Sequence, residues 1–337
     1  MRILRIILSP ISLLYGLVTA VRNKCYDWGW LPSVRMDGVK VVSVGNITVG
    51  GTGKTPHIEY LIRTLSQQYR IAVLSRGYKR KTKGFVLADT SSTAQDVGDE
   101  PCQIKQKFPD LTVAVDADRV HGVQTLKERF PDLQLVLLDD AFQHRHIVPS
   151  YSILLADYHR PLYRDGMLPG GRLREWACFA QRADILVISK TPNHITSEEQ
   201  QVIRNRYARI FGKKILFTSI KYGNPQPVFQ KTLPFTEYIT SQPAILLITG
   251  IASPKPLENH VHTLSPNVQH LIFPDHHNYV QNDIRKIAEK WQQLPAASAK
   301  YILTTEKDAM RLRTMPIPDE MQEVLFYVPI EIQVIQL

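Results

Sequence analysis

The sequence predicts an α/β fold with a parallel sheet that is covered by helices on both faces. Apolar runs of four to six residues, rich in β-branched side chains, alternate with amphipathic stretches of helical periodicity. The chain has 337 residues, of which 44% are hydrophobic, and this is enough for about two domains with a core each.

The predicted elements fall into two series. The first has strands at residues 40–44, 71–75, 112–115, 135–138, 152–156 and 185–189, with helices at 56–68 and 119–130. A polar helix is expected within 192–208, and the segment 213–235 predicts a connector with two short extended pieces. The second series has strands at 244–249, 268–273 and 301–304, a helix near 283–293 and a C-terminal edge strand.

Charge and cysteine content narrow the possible partners and the compartment. A net charge of +10 favours an anionic partner, which is a nucleotide, a nucleic acid or a membrane surface. The three cysteines, Cys25, Cys102 and Cys178, have no C-x-x-C spacing. We therefore expect a reducing compartment and predict neither a disulfide framework nor a zinc site.

The first 24 residues predict an amphipathic helix of their own. Polar residues recur along it at steps of three and four: Arg2, Arg5, Ser9, Ser12, Gly16, Thr19 and Asn23. Only 16 residues separate Arg5 from Arg22, and they include Pro10, so the helix is expected to lie in a membrane interface rather than to span the bilayer. Two alternatives stay open, a helix packed on the protein's own core and a secretory signal cleaved after Ala20, which a cytosolic nucleotide site would contradict.

Residues 48–55, T-V-G-G-T-G-K-T, nearly match the phosphate-loop signature G-x-x-x-x-G-K-[ST], with Thr48 in place of the first glycine. A strand precedes the loop, and Pro56 lies in the first helical turn after it, where a missing N–H costs nothing. The predicted ATP site is formed by Thr48, Val49, Gly50, Gly51, Thr52, Gly53, Lys54 and Thr55. In such a loop the lysine reaches the β- and γ-phosphates, and the threonine hydroxyl holds Mg²⁺.

Two acidic segments are candidates for metal binding and catalysis beside this loop. The run L-Q-L-V-L-L-D-D at 133–140 places Asp139 and Asp140 at a strand end, where a carboxylate helps to hold Mg²⁺. Adjacent acids repel unless a cation or a basic group lies between them. The segment D-V-G-D-E-P at 96–101 is either a solvated loop or cap, or the source of a base for a hydroxyl proton and of a further Mg²⁺ contact.

Three segments that contain arginine are candidates for contacts with phosphate. They are S-R-G-Y-K-R-K-T-K at 75–83, D-A-D-R at 116–119 and L-P-G-G-R-L-R-E at 168–175. Nucleic acid is disfavoured for the first segment because Tyr78 is its one interleaved aromatic residue and no nucleic-acid-binding module is recognisable. An anionic lipid surface, a phosphorylated substrate and a solvated loop stay open.

Histidines cluster at two places. The run F-Q-H-R-H at 142–146 suggests a metal site at His144 and His146, but no third soft ligand is obvious. The run F-P-D-H-H-N-Y at 273–279 closes a strand, and an Asp-His-His cluster at a strand end favours a functional role over a structural one.

Together these segments resemble the tetraacyldisaccharide 4'-kinase family, the lipid A 4'-kinases of Gram-negative bacteria. The matching pieces run in order from about residue 45 to residue 309: G-N-I-T-V-G-G-T-G-K-T-P, S-R-G-Y, D-V-G-D-E-P, D-A-D-R, L-D-D-A-F-Q-H-R, L-P-x-G-x-L-R-E, T-G-I-A-x-P, F-P-D-H-H and T-E-K-D-A. Thr48 is the family's usual residue at its position. One departure is Arg172 after Gly171, where the family has proline.

The resemblance implies a P-loop NTPase-like α/β/α sandwich with a second smaller α/β lobe and a short β linker. Residues 1–28 would form an N-terminal membrane-associating helix, 29–225 the nucleotide-binding kinase domain, and 226–337 the second lobe with the linker strands. The implied reaction is an ATP- and Mg²⁺-dependent transfer of the γ-phosphoryl group to the 4'-hydroxyl of tetraacyldisaccharide 1-phosphate. The product is lipid IVA, and the implied location is the cytoplasmic face of the inner membrane.

Carried onto this chain, the resemblance makes Asp99 the base that takes the hydroxyl proton, assisted by His276 in preference to His277. The residues that balance charge on the transferring group would be Lys54, Arg119 and Arg174, with Arg76 as a further candidate. The Mg²⁺ candidates are Thr55, Asp139, Asp140 and Glu100. Neither a nucleic-acid partner nor a protein partner is implied.

Two other functions stay open at this point. A switch or metal-insertion NTPase would bind a protein partner and hydrolyse slowly, but it leaves the amphipathic N-terminus and the Asp-His-His cluster unexplained. A membrane-bound nucleotide sensor would need no base, so Asp99 would be dispensable in it.

Overall fold

A computed structural model describes residues 7–229, 242–275, 277–295 and 299–335 of the chain. The chain divides into two compact units. The larger unit contains the chain up to Ile220 and the C-terminal residues from Ile332, and the smaller unit contains Lys221–Glu331. Each unit contains a largely parallel sheet with helices, so the predicted α/β class is confirmed. The partition at residues 28 and 225 that the sequence suggests stays a prediction.

The strands in chain order are β1 (Val34–Arg35), β2 (Lys40–Gly45), β3 (Ile71–Ser75), β4 (Val86–Ala88), β5 (Thr112–Val115), β6 (Leu135–Asp139), β7 (Ile147–Val148), β8 (Tyr151–Asp157), β9 (Ile185–Ser189), β10 (Lys214–Tyr222), β11 (Gln226–Pro227), β12 (Ala244–Thr249), β13 (Val268–Ile272), β14 (Lys300–Thr305), β15 (Leu325–Val328) and β16 (Ile330–Ile335). The described α-helices are α1 (Ser9–Asp27), α2 (Lys54–Leu65), α3 (Ala94–Val97), α4 (Asp99–Lys107), α5 (Arg119–Arg129), α6 (Ser197–Tyr207), α7 (Lys255–Leu264), α8 (Gln281–Gln292), α9 (Glu306–Leu312) and α10 (Asp319–Gln322).

A nine-stranded sheet with the order β16-β10-β9-β8-β2-β6-β3-β5-β4 forms the larger unit. The pairs from β10 to β5 are parallel, and β4 runs antiparallel to β5. Every residue of β3, β6 and β9 is buried because helices cover the sheet on both faces. Ile58 and Ile62 of α2 pack into the core on one face, and Leu126 of α5 packs into the core on the other. The predicted C-terminal edge strand is confirmed as β16.

The smaller unit has a five-stranded sheet with the order β11-β15-β14-β12-β13. Its pairs are parallel except that of β11 with β15. Leu257 and Val261 of α7 pack with one cluster of buried strand residues, and Ile284 and Ile287 of α8 pack with the other. The sheet of the smaller unit is therefore also covered on both faces.

The observed bounds agree closely with those predicted from apolar runs, with two informative differences. Residues 214–222, predicted as part of a connector with short extended pieces, form the nine-residue strand β10, which pairs in parallel with β9 in the larger sheet. The polar helix begins at Ser197, five residues after the predicted start. Thr196 is its N-cap and forms a capping box with Glu199, whose side chain accepts from the Thr196 N–H at 2.9 Å. Because this reciprocal cap satisfies the first free N–H groups, the helix starts there.

Helix α1 packs on the larger unit with its polar stripe instead of its apolar face. Gly16 and Asn23 are buried, and Ser12 Oγ accepts a hydrogen bond from the Gly170 N–H at 3.0 Å. The side chains that stay exposed are Ile11, Leu13, Leu14, Leu17, Val18 and Val21. The predicted helix therefore exists, and its apolar face is turned away from the protein core.

A buried polar network holds α1 in this orientation. Asn23 Nδ2 donates to Glu175 Oε2 at 2.8 Å, and the Arg182 guanidinium donates to both oxygens of Glu175 at 2.7 and 2.8 Å and to Asn23 Oδ1 at 3.1 Å. Trp176 Nε1 adds a bond to the Gly16 carbonyl at 3.0 Å. Within the residues that the structure describes, no helix is both long and apolar enough to cross a bilayer.

Replacing Glu175 by alanine is expected to lower the free energy of unfolding by about 3 to 5 kcal/mol, because it leaves the Arg182 guanidinium buried without its acid. Urea denaturation followed by tryptophan fluorescence measures this loss. Lys24→Ala is the control, since its ion pair with Asp27 at 3.7 Å is exposed and should contribute about 1 kcal/mol or less. Equal effects of the two substitutions would show that the Glu175 network does not hold α1.

Candidate active site

The carboxyl ends of the parallel strands meet at one edge of the nine-stranded sheet. Strand β2 leads into the phosphate loop there, and β6, directly beside it, ends at Asp139 opposite Val44. Ser75 and Val115, the last residues of β3 and β5, also face each other at this edge. In open α/β sheets this edge is where ligands bind.

The phosphate loop leads directly into a helix N-terminus. Gly53 is the N-cap of α2 with φ of 86°, and Lys54 and Thr55 are its first two residues. Asn46 Nδ2 donates to Thr52 Oγ1 at 2.9 Å, and Ser189 Oγ donates to the Thr52 carbonyl at 2.8 Å. The loop is thus fixed from two sides, and its N–H groups lie where a helix N-terminus favours phosphate.

Asp139 is buried, and among the described residues only one of its two carboxylate oxygens accepts a hydrogen bond. Ser75 Oγ donates to its Oδ2 at 3.4 Å, and its Oδ1 has no hydrogen-bond partner among the described residues. Burial raises the pKa of the Asp139 carboxyl to about 6, and the charge of Glu100 adds to the increase while Lys54 opposes it. A carboxylate oxygen of this kind, with the charges of Asp140 and Glu100 nearby, fits the hard oxygen-ligand preference of Mg²⁺.

Asp140 lies between two cationic side chains. Lys54 Nζ is 3.7 Å from its Oδ1, and Arg174 Nη1 donates to its two oxygens at 3.2 and 3.3 Å. The structure therefore brings the lysine of the phosphate loop, the strand-end acid and an arginine of segment 168–175 together. The repulsion expected between the two adjacent acids is balanced by these cations.

Segment 172–174 is paired with the phosphate loop through the main chain. The Val49 N–H donates to the Arg172 carbonyl at 2.8 Å, and the Arg174 N–H donates to the Ile47 carbonyl at 2.8 Å. Thr48 forms an antiparallel bridge with Leu173. Thr48, which stands in place of the first glycine of the signature, is therefore buried in this short β-ladder.

Arg119 is buried at the same edge, at the first position of α5. Its guanidinium donates to the carbonyls of Asp116, Ala117 and Asp139 at 3.0, 3.1 and 3.5 Å. Burial lowers its pKa, while the nearby charges of Asp139 and Asp140 oppose this change. In this structure Arg119 holds strand-end carbonyls together.

Asp99 is the first residue of α4, and a close contact of two main-chain segments sets its position. Gly98, which precedes it, has φ of 93°, and a Cβ there would lie 3.1 Å from the Tyr78 carbonyl oxygen and 3.2 Å from Gly77 Cα. A side chain at position 98 would push the two segments apart. The D-V-G-D-E-P and S-R-G-Y segments are thus neighbours, although they are 20 residues apart in sequence.

The histidine cluster of the smaller unit is only partly described. His276 lies outside the described residues. His277 Nε2 is 2.8 Å from Asp283 Oδ2, and its ring stacks on Phe273 with 4.8 Å between centroids. The role of either histidine stays a prediction.

Two residues of the nucleotide edge were missed in the sequence. Lys190, directly after β9, donates to the Gly51 carbonyl of the phosphate loop and to Asp157 Oδ2 at 2.7 Å. His57 bridges the loop and β10, with its ring nitrogens 2.7 Å from the Gly53 carbonyl oxygen and 3.0 Å from Thr218 Oγ1. A basic residue at the end of a parallel strand was a usable signal for Lys190, whereas nothing in the sequence pairs residue 57 with residue 218.

The chain is similar to one family over nearly its whole length. A family model described as LpxK, tetraacyldisaccharide-1-P 4'-kinase, matches residues 4–336. The tetraacyldisaccharide 4'-kinase of Parabacteroides distasonis is 46% identical over 333 residues, which are 97% of this chain and 89% of that protein. The enzyme of the same name from Bacteroides thetaiotaomicron is 45% identical over 341 residues, with 98% and 89% covered.

A solved structure supports the same likeness. The crystal structure of the "apo" form of LpxK from Aquifex aeolicus in complex with ATP has a TM-score of 0.75 and 28% identity, and the match covers 99% of this chain and 96% of that one. The fold class predicted from the resemblance, a P-loop NTPase-like α/β/α sandwich with a second smaller lobe, is thereby confirmed.

The buried ring of His57 is expected to make the fold sensitive to acid. The Gly53 carbonyl can only accept, so Nδ1 carries the proton and Nε2 accepts from Thr218. Burial lowers the pKa of His57 from 6.5 to about 4, so the unfolded chain takes up the proton first as the pH falls. The stability associated with neutral His57 is present above the unfolded pKa and is lost as the pH falls toward the folded one.

Between about pH 7 and about pH 5, the free energy of unfolding should fall by roughly 2 kcal/mol more in the wild type than in His57→Gln, which does not titrate. Urea denaturation of the nucleotide-free and magnesium-free protein at the two pH values measures the difference. The same decrease in both proteins would show that His57 is not the acid-sensitive group.

Proposed function

We infer the function of this chain from the fact that it belongs to the tetraacyldisaccharide-1-P 4'-kinase family. It is an ATP-dependent kinase of lipid A biosynthesis that transfers the γ-phosphoryl group to the 4'-hydroxyl of tetraacyldisaccharide 1-phosphate. The observation that carries this function is the phosphate loop whose Lys54 lies 3.7 Å from Asp140, with Arg174 on the same carboxylate. A phosphate-binding lysine and an arginine at one strand-end acid suit the stabilisation of charge on a transferring phosphoryl group.

In the proposed reaction, Asp99 accepts the proton of the 4'-hydroxyl while that oxygen attacks the γ-phosphorus. The bond from the γ-phosphorus to the bridging oxygen breaks, and its electron pair leaves on ADP. Lys54, Arg119 and Arg174 supply positive charge, and phosphate-loop residues 48–55 bind the nucleotide. His276 is the residue proposed to assist Asp99. By position in the sequence, His276 and His277 belong to the smaller unit.

Mg²⁺ is part of the same proposal. Thr55, Asp139, Asp140 and Glu100 are the residues that would hold it. The buried Oδ1 of Asp139, which has no hydrogen-bond partner in the part of the chain that the structure describes, supports the assignment. The cation would neutralise charge on the nucleotide phosphates. Occupation by a cation would also offset the cost of keeping Asp139 ionised in a buried place.

Association with the membrane surface is a further part of the proposal, with the cytoplasmic face of the bacterial inner membrane as the location. It is supported by the exposed apolar face of α1 and by the net charge of +10, which favours anionic lipids. Trp28 and Trp30, which follow the helix, are exposed as well, and such residues are favoured at a membrane interface. A kinase docked in this way would meet an acylated substrate in the bilayer that contains it.

A transfer assay separates this function from its rivals. The protein is incubated in detergent with γ-labelled ATP, Mg²⁺ and tetraacyldisaccharide 1-phosphate, and the lipid product should carry the label. Hydrolysis of ATP without labelled lipid would favour a switch NTPase, and nucleotide binding without turnover would favour a sensor.

Asp99→Ala and Asp99→Asn are expected to lower kcat by roughly 100-fold to 10,000-fold, because the hydroxyl proton loses its acceptor. The affinity for ATP, measured by calorimetry, should stay close to that of the wild type. Asp96→Asn is the matched control in the same segment, since Asp96 accepts bonds from Thr93 and caps α3. Wild-type turnover in Asp99→Asn would contradict the assignment of the base.

Leu14→Glu/Leu17→Glu is expected to weaken binding to vesicles that contain anionic phospholipid by roughly 100-fold or more, because the two leucines that would enter the membrane interface are replaced by charged side chains. Both leucines are at least 60% exposed in the protein, so the fold should tolerate the change. Gln201→Glu/Val202→Glu on exposed positions of α6 adds the same charge and should bind as the wild type does. Flotation of the vesicles measures both, and equal binding of the two double variants would argue against docking by α1.

A further inference from the structure

Three side chains of types that can ligate a metal come together in the structure, whereas the sequence alone indicated two of them. Asp118 is the N-cap of α5, and His144 and His146 lie in the segment that follows Asp140. One ligand atom from each of the three lies within 4.8 Å of the other two. Among the described residues this is the one such group of three found.

His144 has a buried ring nitrogen that could act as a ligand. Its Nε2 is buried and has no hydrogen-bond partner in the described part of the chain. A metal binds an imidazole through a ring nitrogen that carries no proton. A buried ring nitrogen without a partner is costly, and coordination would remove that cost.

Asp118 is held in place by its role as a cap. Its Oδ1 accepts from the N–H groups of Val120 and His121 at 2.9 and 3.3 Å. Both bonds use the same oxygen, so Oδ2 remains able to accept a metal bond. The carboxylate is therefore positioned by the helix and does not depend on a metal for its place.

The donor set selects the kind of cation. Two imidazoles with one carboxylate are a frequent ligand set for Zn²⁺ with an open fourth position, whereas Mg²⁺ takes oxygen ligands.

We propose that Asp118, His144 and His146 form a binding site for a divalent transition-metal cation, with Zn²⁺ as the best match. Tetrahedral zinc with bonds of about 2.1 Å requires ligand atoms about 3.4 Å apart, so atoms within 4.8 Å need only small side-chain rotations. The site is distinct from the Mg²⁺ ligands of the proposed reaction, because it shares no residue with them.

A cation at this site would tie two functional segments together. Asp118 precedes Arg119, whose guanidinium holds the Asp139 carbonyl, and the two histidines follow Asp140 along the chain. The same segment contains Arg145, which donates to the Asn23 carbonyl of α1 at 2.6 Å. The bound metal would therefore fix the start of α5 against the loop that connects the strand-end acids with α1.

The site is tested with Co²⁺ as a spectroscopic probe on the full, chelator-treated chain without nucleotide. The wild type should bind one more equivalent of Co²⁺ than His146→Gln, with a visible absorption band that one equivalent of Zn²⁺ removes. Zn²⁺ should also raise the Tm of the wild type but not that of His146→Gln. Asp118→Asn keeps the helix cap, because asparagine caps as well as aspartate does, and it should raise the dissociation constant for Co²⁺ at least about tenfold.

Two controls exclude other positions for the ion. Asp140→Asn alters the proposed Mg²⁺ ligands and should keep the visible band, and His121→Gln, one turn along α5, should keep it too. The proposal is overturned if the wild type shows no band, or if both His146→Gln and Asp118→Asn bind Co²⁺ as the wild type does. It is also overturned if His121→Gln or Asp140→Asn abolishes the band while His146→Gln retains it.

Discussion

The site depends on one short main-chain pairing, between the phosphate loop and segment 172–174. Once Thr48 is bridged to Leu173, the two residues that follow are placed in turn. Arg174 contacts Asp140 beside Lys54, and Glu175 is buried against Asn23 of α1 and Arg182. Successive side chains of an extended segment point to opposite sides. Arg174 therefore contacts the nucleotide edge, and Glu175, the next residue, contacts α1.

Charge at the nucleotide edge is balanced locally, although the protein as a whole is strongly basic. Asp139 and Asp140 end one strand, and Lys54, Arg174 and Arg119 surround them from three different parts of the chain. Asp140 is satisfied by this arrangement. Asp139 has a raised pKa and keeps one buried oxygen that no described residue hydrogen-bonds. The remaining imbalance is what a bound cation would correct, and this is why the proposed magnesium ligands centre on Asp139.

Helix α1 reverses the usual arrangement of an amphipathic helix. Its small and polar residues face the protein because Glu175, Arg182 and Trp176 offer hydrogen bonds there, and its leucines are left outside. The segment after Asp140 is bonded to the same helix, through Arg22 to the Gln143 carbonyl and through Arg145 to Asn23 and Asp27. A surface that suits lipid and an edge that suits nucleotide are therefore connected by a few polar contacts, and the proposed metal site lies in that same connecting segment.

The sequence by itself determined most of the parallel strands, the phosphate loop and the acids at the end of β6, because each rests on local periodicity or a contiguous signature. It also gave the family, through motifs in a fixed order. Only the tertiary structure decided which face of α1 is buried. A polar stripe faces solvent unless a residue far away in sequence, such as Glu175, hydrogen-bonds to it. It also decided the pairing of Asp118 with His144 and His146, and of His57 with Thr218. These contacts join residues on separate elements, and local spacing has no information on which elements pack together.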